Sequence, residues 1–441
     1  MSSPSAGGLA LEMRSKARSF FVAALEDASI ARAFERHVEC TRGVLRIFED
    51  LHHLDAYQRV FVISIGKAAH TLVEALESRA GSRFEGIVAS SVAPASQARG
   101  FRYFLGGHPT PNAESLRAAA AMLKSLSGLN SQSLVIYLLS GGGSSMAEQP
   151  VDEEISLNDI VATYRALVLS GAPIAEINAV RKHLSAIKGG RLAAAAYPAP
   201  QVSLLISDVP DKTPDALASG PTMPDSTTTE DCYAIVAKHG LLEQFPASVR
   251  GIFVRRGLEE TPKFDHPAFV HSRWWTLLSN QSAVEAAAVA AKQAGFTVEV
   301  DNSCDDWDYA RAADYLLGRL HELRHRSERV CLISGGEVTV KVTDGGTGGR
   351  NQQFALACAE KIAGQDITVL SAGTDGLDGN SPAAGAIADG TTVSRGQTLN
   401  LDATVFLKRF DAYNFLHTLG DDIATGPTGN NLRDLRILLA Y

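Results

Sequence analysis

Residues 59–79 read RVFVISIGKAAHTLVEALESR, and this stretch decides the fold class. Its first half is apolar without alternation, which is typical of a strand buried on both faces of a parallel sheet. Its second half has the periodicity of an amphipathic helix. Apolar runs recur at GIVAS (86–90), SLVIYLLS (133–140) and VSLLISD (202–208), with helical patterns between them. We therefore expect an α/β protein with a doubly wound sheet.

The length of 441 residues favours two or more domains. Residues 11–50 have a helical pattern, whereas residues 241–272 lose clear periodicity and contain three prolines. A second series of strands and helices begins with WWTLLSN (274–280), and VTVKVTD (338–344) has the alternation of a hairpin strand. We expect one α/β domain over residues 1–260 and a smaller one over residues 261–441.

The composition excludes several classes of protein. Hydrophobic residues make up 45% of the chain, charged residues make up 20%, and the net charge is −8. This balance is typical of a soluble globular protein and argues against a nucleic-acid binder. The five scattered cysteines indicate reduced thiols and a cytoplasmic location rather than a disulfide or zinc framework. We find no apolar run of about 18 residues, the length that would span a membrane.

Two glycine loops in the first domain directly follow predicted strands. In Gly66-Lys67-Ala68, the lysine stands at a strand-to-helix turn, where anions are favoured. The loop is not a P-loop, and a surface lysine after a tight turn remains an equal alternative. In the second loop, SGGGSS (140–145), three glycines and three hydroxyls favour a phosphate nest over a flexible turn.

Two further loops belong to the second domain. DGGTGGRNQ (344–352) delivers Arg350 to a helix start, and arginine suits the clamping of a phosphoryl group. SAGTDGLDGN (371–380) carries Asp375 and Asp378, which are candidates for Mg²⁺ or ordinary residues of an Asp/Gly turn. Asp208 is another carboxylate at the end of a predicted strand.

Two polar segments are candidates for substrate binding. GGHPTPNAES (106–115) places His108 before a helix. EINAVRKHLSAIKGGR (176–191) places Asn178, Arg181 and Lys182 on one helix face, which could bind a carboxylate, although a basic surface helix would explain part of the pattern.

Two familiar patterns are rejected. HELRH (321–325) matches the HExxH signature, but its histidines lie off the buried stripe of their helix, and we do not assign zinc to it. No loop completes the G-x-G-x-x-G pattern of a dinucleotide-binding fold, which counts against an NAD-dependent enzyme.

Eight strings in order, from about residue 11 to the C-terminus, resemble the glycerate kinases that carry a C-terminal MOFRL domain. Asn430 stands where that family often has threonine. The strings are VISIGKAA, GGHPTPNAES, LSGGGSS, INAVRKHLSAIKGGRLA, SDVP with ASGPTMPDST, SGGEVTVKV with GGTGGRNQ, SAGTDGLDGNSPAAGAIAD and ATGPTGNNLRDLRILL.

This resemblance implies a Rossmann-like N-terminal domain, a smaller C-terminal α/β domain and a cleft between them. It implies ATP-dependent phosphorylation of D-glycerate to 2-phosphoglycerate, the reaction of a class II glycerate 2-kinase, with ATP and Mg²⁺ bound. D-glycerate and ATP would be the partners, without nucleic acid or membrane, and a homodimer is left open. An NAD(P)-dependent hydroxypyruvate reductase and a non-catalytic sugar-acid-binding regulator are the alternatives.

The candidate site residues follow from the loops and from the resemblance together. Lys67 and Arg350 match the family's catalytic lysine and arginine, and Asp208 is expected to take part in catalysis. Asp208 and Asp375 are the candidate metal ligands, and His108, Asn178 and Arg181 the candidate contacts to glycerate. The expected phosphate- or nucleotide-binding residues are Gly66, Ser140, Gly141, Gly142, Gly143, Ser144, Ser145, Gly335 and Glu337.

Overall fold

The computed structural model describes residues 6–210, 213–343 and 345–441. Two compact units are present: a central unit, Ala33–Leu277, and a terminal unit formed by Met1–Arg32 together with Leu278–Tyr441. Each contains a six-stranded sheet. The predicted fold class, α/β with two domains, is confirmed.

The helices and strands alternate along most of the chain. The helices are α1 (Ala6–Asp27), α2 (Ile30–His37), α3 (Ala69–Ala80), α4 (Ala113–Leu126), α5 (Gly143–Met146), α6 (Leu157–Leu169), α7 (Ile174–His183), α8 (Arg191–Ala196), α9 (Thr229–Lys238), α10 (Ala247–Val254), α11 (Asn280–Gln293), α12 (Tyr309–Arg324), α13 (Arg350–Lys361), α14 (Thr392–Thr398), α15 (Ala403–Lys408) and α16 (Ala412–Thr418). The strands are β1 (Val38–Thr41), β2 (Val44–Ile47), β3 (Asp50–His53), β4 (Arg59–Ile65), β5 (Glu85–Ser90), β6 (Phe101–Leu105), β7 (Ser133–Leu139), β8 (Gln201–Ile206), β9 (Ser272–Leu278), β10 (Thr297–Val300), β11 (Val330–Gly335), β12 (Ile367–Gly373), β13 (Gly385–Asp389), β14 (Asp422–Ile423) and β15 (Asp434–Ala440).

The sheet of the central unit has the order β6-β5-β4-β7-β8-β9. The pairs β6–β5, β5–β4, β4–β7 and β7–β8 are all parallel. All seven residues of β7 are buried, as the unbroken apolar run predicts. The chain runs outward from β4 to β6 and then returns to place β7 on the other side of β4. Open α/β sheets bind ligands at such a reversal, beyond the carboxyl ends of the strands.

The sheet of the terminal unit has the order β10-β11-β15-β12-β13-β14. Only the β10–β11 pair is parallel, because β15 returns from the end of the chain and inserts antiparallel between β11 and β12. Helix α1 packs in this unit, where Phe20 and Phe21 join the same buried cluster as Val284 of α11 and Ile437 of β15. Burial of each such side chain contributes about 1.5–3 kcal/mol.

The structure divides the chain differently from the expected 1–260 and 261–441. Strand β9 adds to the sheet of the central unit, so residues 261–277 stay with that unit rather than opening the next one. The first 32 residues belong to the terminal unit because the apolar face of α1 is buried there.

Two local predictions were wrong. Residues 38–53 form a three-stranded antiparallel sheet rather than a continuing helix. Arg42 and Gly43 turn between β1 and β2 with φ values of 52° and 80°, as a two-residue hairpin turn requires. Residues 338–343 form no strand, and Asp344, the last residue of the expected hairpin strand, lies outside the described residues.

No helix in the described parts of the chain is both long enough and apolar enough to cross a membrane.

Candidate active site

Three neighbouring strands of the central unit end at one edge of the sheet. Ile65 of β4 is paired with Leu139 of β7, and Leu139 with Leu205 of β8. Because the three strands are parallel and in register, the segments that follow them begin side by side. These segments carry Lys67, the glycine loop 140–145 and Asp208, as predicted.

The lysine loop and the glycine loop are hydrogen-bonded to each other. The Lys67 N–H donates to the Gly141 carbonyl at 2.9 Å, and the Ala68 N–H donates to Ser140 Oγ at 3.1 Å. Gly66 has φ +129°, and a Cβ there would lie 2.2 Å from Ser140 Oγ. Only glycine fits this position, so the close approach explains Gly66 and gives Ser140 a structural role.

Two glycines of the loop provide room for three polar side chains. A Cβ at Gly141 would lie 1.9 Å from Oδ2 of Asp208. A Cβ at Gly142, whose φ is +79°, would lie 3.3 Å from Cγ of Lys67 and 3.4 Å from Cε1 of His108. Lys67, His108 and Asp208 therefore all border the backbone of these two glycines.

The hydroxyls of the loop contact neighbouring segments. Nδ1 of His108 lies 3.4 Å from Ser145 Oγ, and Ser144 Oγ lies 2.8 Å from Ser219 Oγ. Burial and then the charge of Lys67 lower the pKa of His108. The imidazole is therefore neutral over a wider pH range than an exposed one. The sequence prediction did not include Ser219.

Asn178 and Arg181 lie one turn apart on α7. Neither side chain makes a hydrogen bond to any residue that the structure describes, and Arg181 Nε is buried without a partner there. The guanidinium carbon of Arg181 lies 4.7 Å from the centre of the Tyr164 ring, a cation–π distance. An anionic ligand would satisfy this group, so both residues retain the capacity predicted for them.

Lys182, predicted to share that binding face, is in a different position. Its buried ammonium donates to Asp215 Oδ2 at 2.8 Å and to Asp225 Oδ1 at 3.2 Å. Two carboxylates already neutralise its charge, so Lys182 stabilises the fold here rather than offering a free cation to a ligand.

A buried network supports the segment after the glycine loop. Glu148, which is fully buried, accepts hydrogen bonds from Lys188 Nζ, from Ser185 Oγ at 2.6 Å and from Tyr164 OH at 2.5 Å. Tyr164 is also the ring beneath Arg181. Glu148, which follows α5, is therefore linked through Tyr164 to Arg181, the candidate arginine for substrate binding.

In the terminal unit, Arg350 begins α13 and is held by two carboxylates. Its Nε donates to Asp434 Oδ2 at 2.6 Å, and its Nη2 donates to Asp434 Oδ1 at 3.0 Å and to Glu337 Oε1 at 2.7 Å. Burial disfavours the charged guanidinium, but Asp434 and then Glu337 outweigh it and raise the pKa of Arg350. Nη1 has no hydrogen-bond partner within the described ranges, which leaves one nitrogen for a ligand.

Gly335 and Glu337 were predicted to bind phosphate or nucleotide. Their backbone N–H groups donate to Asn302 Oδ1 at 2.7 Å and to Asp305 Oδ1 at 3.0 Å, and the Glu337 carboxylate accepts from Arg350. Glu337 therefore shapes the surroundings of Arg350, and the role of both residues toward a nucleotide stays a prediction.

The two aspartates of loop 371–380 have different surroundings. Asp378 is buried and accepts the backbone N–H groups of Asn351 and Gln352, so it caps α13 and is not exposed to a metal ion. Burial raises its pKa to about 7, with the charge of Asp434 adding to the effect. Asp375 is half-buried, and its Oδ1 accepts the N–H of Leu377 at 3.1 Å.

The donor set is compatible with Mg²⁺ in one mode only. Within the described residues, no group of three or more His, Cys, Asp or Glu side chains could hold a metal ion. Magnesium usually takes one or two carboxylates together with substrate phosphates, a mode that Asp208 or Asp375 could serve.

In HELRH, the two ring nitrogens of His321 lie 2.7 Å from the Leu317 carbonyl and 3.0 Å from Gln365 Oε1.

The sequence prediction missed Asp434, which holds Arg350 in the terminal unit, and Glu148, which supports the candidate residues of the central unit. Asp434 had a sequence signal, because it is a charged residue at the start of the apolar run LRILLA, whereas Glu148, in the segment MAEQP, had none. Buried carboxylates need partners, so such a residue indicates an ion pair but does not identify the partner.

Comparison with known proteins agrees with the resemblance. Residues 16–254 match the model of a domain of unknown function, DUF4147, and residues 330–434 match the MOFRL family. The chain is 37% identical to a D-glycerate 2-kinase of Thermotoga maritima over 86% of this chain and 90% of that protein. It is 36% identical to a putative hydroxypyruvate reductase of Agrobacterium vitis over 86% of this chain and 87% of that protein.

The fold matches as well. A crystal structure of glycerate kinase from Thermotoga maritima superposes with a TM-score of 0.86 and 33% identity, covering 98% of this chain and 100% of that one. The order of the DUF4147 and MOFRL matches, the extent of the similarity and the shared fold lead to one conclusion. This chain belongs to the glycerate kinase family whose members combine a DUF4147 domain with a MOFRL domain.

Proposed function

We propose that this protein is a glycerate 2-kinase, which transfers the γ-phosphoryl group of ATP to the 2-hydroxyl of D-glycerate. The observation that carries the proposal is the edge of the central sheet, where Lys67, the glycine loop and Asp208 follow three adjacent parallel strands. The similarity to the D-glycerate 2-kinase of Thermotoga maritima and to the crystal structure of a glycerate kinase supports the same reaction.

Phosphoryl transfer depends on positioning and on neutralising charge, and these residues can supply both. The Lys67 ammonium would neutralise phosphoryl oxygens as their charge redistributes. The N–H groups of Gly141 and Gly142 donate to no atom within the described residues, so they are available to an anion. In the terminal unit, Nη1 of Arg350 is available to an anionic oxygen in the same way.

The acceptor substrate carries a carboxylate and two hydroxyls. Arg181 and Asn178 would bind the carboxylate, because their polar groups lack protein partners among the described residues. His108 would contact a hydroxyl, since its pKa is lowered and the neutral ring can donate or accept. Asp208 would orient the attacking 2-hydroxyl or accept its proton.

Asp208 in the central unit, or Asp375 in the terminal unit, would hold Mg²⁺ together with the phosphates. When bound, Mg²⁺ neutralises charge on the phosphates of the nucleotide. All five cysteines are free thiols, which fits a reducing compartment such as the cytoplasm.

A second candidate function is that of a hydroxypyruvate reductase, and it is favoured by the similarity to the putative hydroxypyruvate reductase of Agrobacterium vitis. Such an enzyme needs a nicotinamide cofactor, and none of the glycine loops completes the dinucleotide pattern.

The two functions are separated by one pair of assays on the same preparation. ADP release from ATP should require D-glycerate, and NADH should not be oxidised with hydroxypyruvate. Lys67→Ala should lower kcat by roughly 100-fold. Lys124→Ala, at an exposed lysine of α4, should keep the wild-type rate. Oxidation of NADH without glycerate-dependent ADP release would overturn the proposal.

A further inference from the structure

Three valines follow β11, and Val338 alone among them joins the buried cluster beside the sheet. Val338, Val340 and Val342 alternate with polar residues, a pattern that normally marks a strand with one apolar face. The described part of this segment forms no strand and makes a single bridge, between Thr339 and Asp308. All three valines line a pocket instead, and Val342 keeps 62% of its surface exposed.

The pocket lies within the terminal unit and has a volume of about 570 Å³, a size typical of small-molecule sites. Phe410 adds a further apolar wall, and Gly346, Gly348 and Gly349 bring backbone close to the cavity. A Cβ at Gly346 would lie 2.4 Å from the Phe410 carbonyl, so the packing of this wall requires glycine.

The polar groups of the pocket are unevenly distributed. Arg350 lines it and has Nη1 without a protein partner among the described residues. Glu337 also lines the pocket but is paired with Arg350, which leaves Asp306 as the other acidic residue of the lining. An uncharged ring suits the valine wall, and an anionic group suits the Arg350 end.

Gln353 provides a hydrogen-bond acceptor in the pocket. Its Nε2 donates to the Leu407 carbonyl at 2.7 Å, which fixes the orientation of the amide. Its Oε1 receives no hydrogen bond from any described residue, and Gln353 is itself nearly fully buried. A ligand that presents an N–H group would satisfy this oxygen.

We propose that this pocket binds the base of the nucleotide donor, an adenine ring, with the phosphates directed toward Arg350. The inference rests on the proposed kinase activity, since it assigns a place to part of the phosphate donor. The valines and Phe410 would contact the faces of the ring, and the exocyclic amino group would donate to Gln353 Oε1. Guanine presents a carbonyl at that position and would leave the acceptor unsatisfied.

The test is the affinity of the full-length protein for ADP, measured by titration calorimetry. Val340→Trp fills the pocket and should weaken ADP binding by about tenfold or more, while KM for D-glycerate stays near the wild-type value. Val289→Trp places the same side chain on an exposed position of α11, outside the pocket, and should bind ADP like the wild type. Unchanged ADP affinity in Val340→Trp would overturn the inference.

A second measurement does not depend on the folding of any variant. Wild-type protein irradiated with 8-azido-ADP should carry the label on peptides that contain residues 338–342 or Phe410. A label found only on other peptides would overturn the inference.

The experiments can overturn the nucleotide pocket and the proposed kinase function independently. Glycerate phosphorylation together with unchanged ADP affinity in Val340→Trp would remove the pocket and leave the kinase. Loss of ADP binding in Val340→Trp, in a protein that does not phosphorylate glycerate, would remove the kinase and leave the nucleotide pocket.

Discussion

Both carboxylate oxygens of Asp434 accept hydrogen bonds from the Arg350 guanidinium, Oδ2 from Nε at 2.6 Å and Oδ1 from Nη2 at 3.0 Å. Asp434 is fully buried, whereas the side chain of Arg350 is 38% exposed. Because Asp434 binds Nε and Nη2 of the planar guanidinium, the remaining nitrogen, Nη1, points in a fixed direction. Asp434 thus fixes the orientation of the Arg350 side chain.

Arg350→Lys should therefore retain little activity. An ammonium cannot make both contacts with Asp434 and also reach a ligand, so kcat should fall by roughly 100-fold with the fold preserved. Steady-state kinetics with circular dichroism measures this. The matched control is Arg326→Lys, at an exposed arginine beyond α12, which should behave like the wild type. Near-normal kcat in Arg350→Lys would show that the two-pronged contact has no catalytic importance.

Gly141→Ala should displace Asp208. The added methyl would lie 1.9 Å from Oδ2 of Asp208, a distance that forces the carboxylate or the loop to move. Because a small misplacement of a reacting group lowers the rate strongly, we expect kcat to fall by roughly 10–100-fold. At Gly128, after α4, a Cβ would meet only the Ser125 carbonyl at 3.8 Å, so Gly128→Ala serves as the control. Equal kcat in both variants would show that the close approach of Gly141 and Asp208 is not needed for catalysis.

Arg181→Met should weaken the binding of glycerate and not of ATP. The guanidinium has no hydrogen-bond partner in the described parts of the chain, and methionine retains much of the apolar contact with Tyr164. Losing a charge-assisted hydrogen bond to the substrate carboxylate should raise KM for D-glycerate by about tenfold or more. Arg165→Met, at an exposed arginine of α6, is the control. An increase in KM for ATP alone would assign Arg181 to the other substrate.

Asp378→Asn should flatten the dependence of stability on pH. The pKa of Asp378 is raised to about 7, whereas an ordinary aspartate has 3.8. Between these values the folded protein holds a proton that the unfolded chain has released, so this contribution is present at low pH and lost as pH rises toward 7. Asparagine has a single acceptor oxygen and keeps only one of the two N–H contacts of Asp378, so the absolute stability falls, but it does not titrate and the slope with pH can be compared.

Urea denaturation between pH 4 and pH 8 measures the effect. The free energy of unfolding should fall more steeply with pH up to 7 in the wild type than in Asp378→Asn. Asp402→Asn, which changes an exposed N-cap of α15, should retain the wild-type slope. Parallel pH profiles for wild type and Asp378→Asn would exclude a raised pKa at this carboxyl.

The common position of Lys67, Gly141 and Asp208 at one edge of the central sheet could be predicted from the sequence for a physical reason. Lys67, Gly141 and Asp208 each follow a buried apolar strand within a few residues, and parallel strands end at a common edge. The sequence pattern did not give the order of the strands in the sheet. The structure shows that β4, β7 and β8 lie side by side.

The environment of Arg350 could not be predicted in the same way. Its partner Asp434 lies 84 residues further along the chain and reaches it because β15 inserts between β11 and β12. Local periodicity carries no information about such an insertion. Periodicity can also mislead. Val338, Val340 and Val342 alternate with polar residues as in a strand, but in the structure these valines line a pocket.

Phosphorus NMR of the product formed from ATP, Mg²⁺ and D-glycerate tests the central claim most directly. We predict a phosphomonoester doublet, from coupling to the single proton on C2 of 2-phosphoglycerate, together with ADP. The same preparation of Lys67→Ala should form the product roughly 100-fold more slowly. A triplet, from the two protons on C3 of 3-phosphoglycerate, would contradict the position of transfer. Absence of any phosphomonoester, with active and folded enzyme confirmed by ADP binding, would contradict the reaction itself.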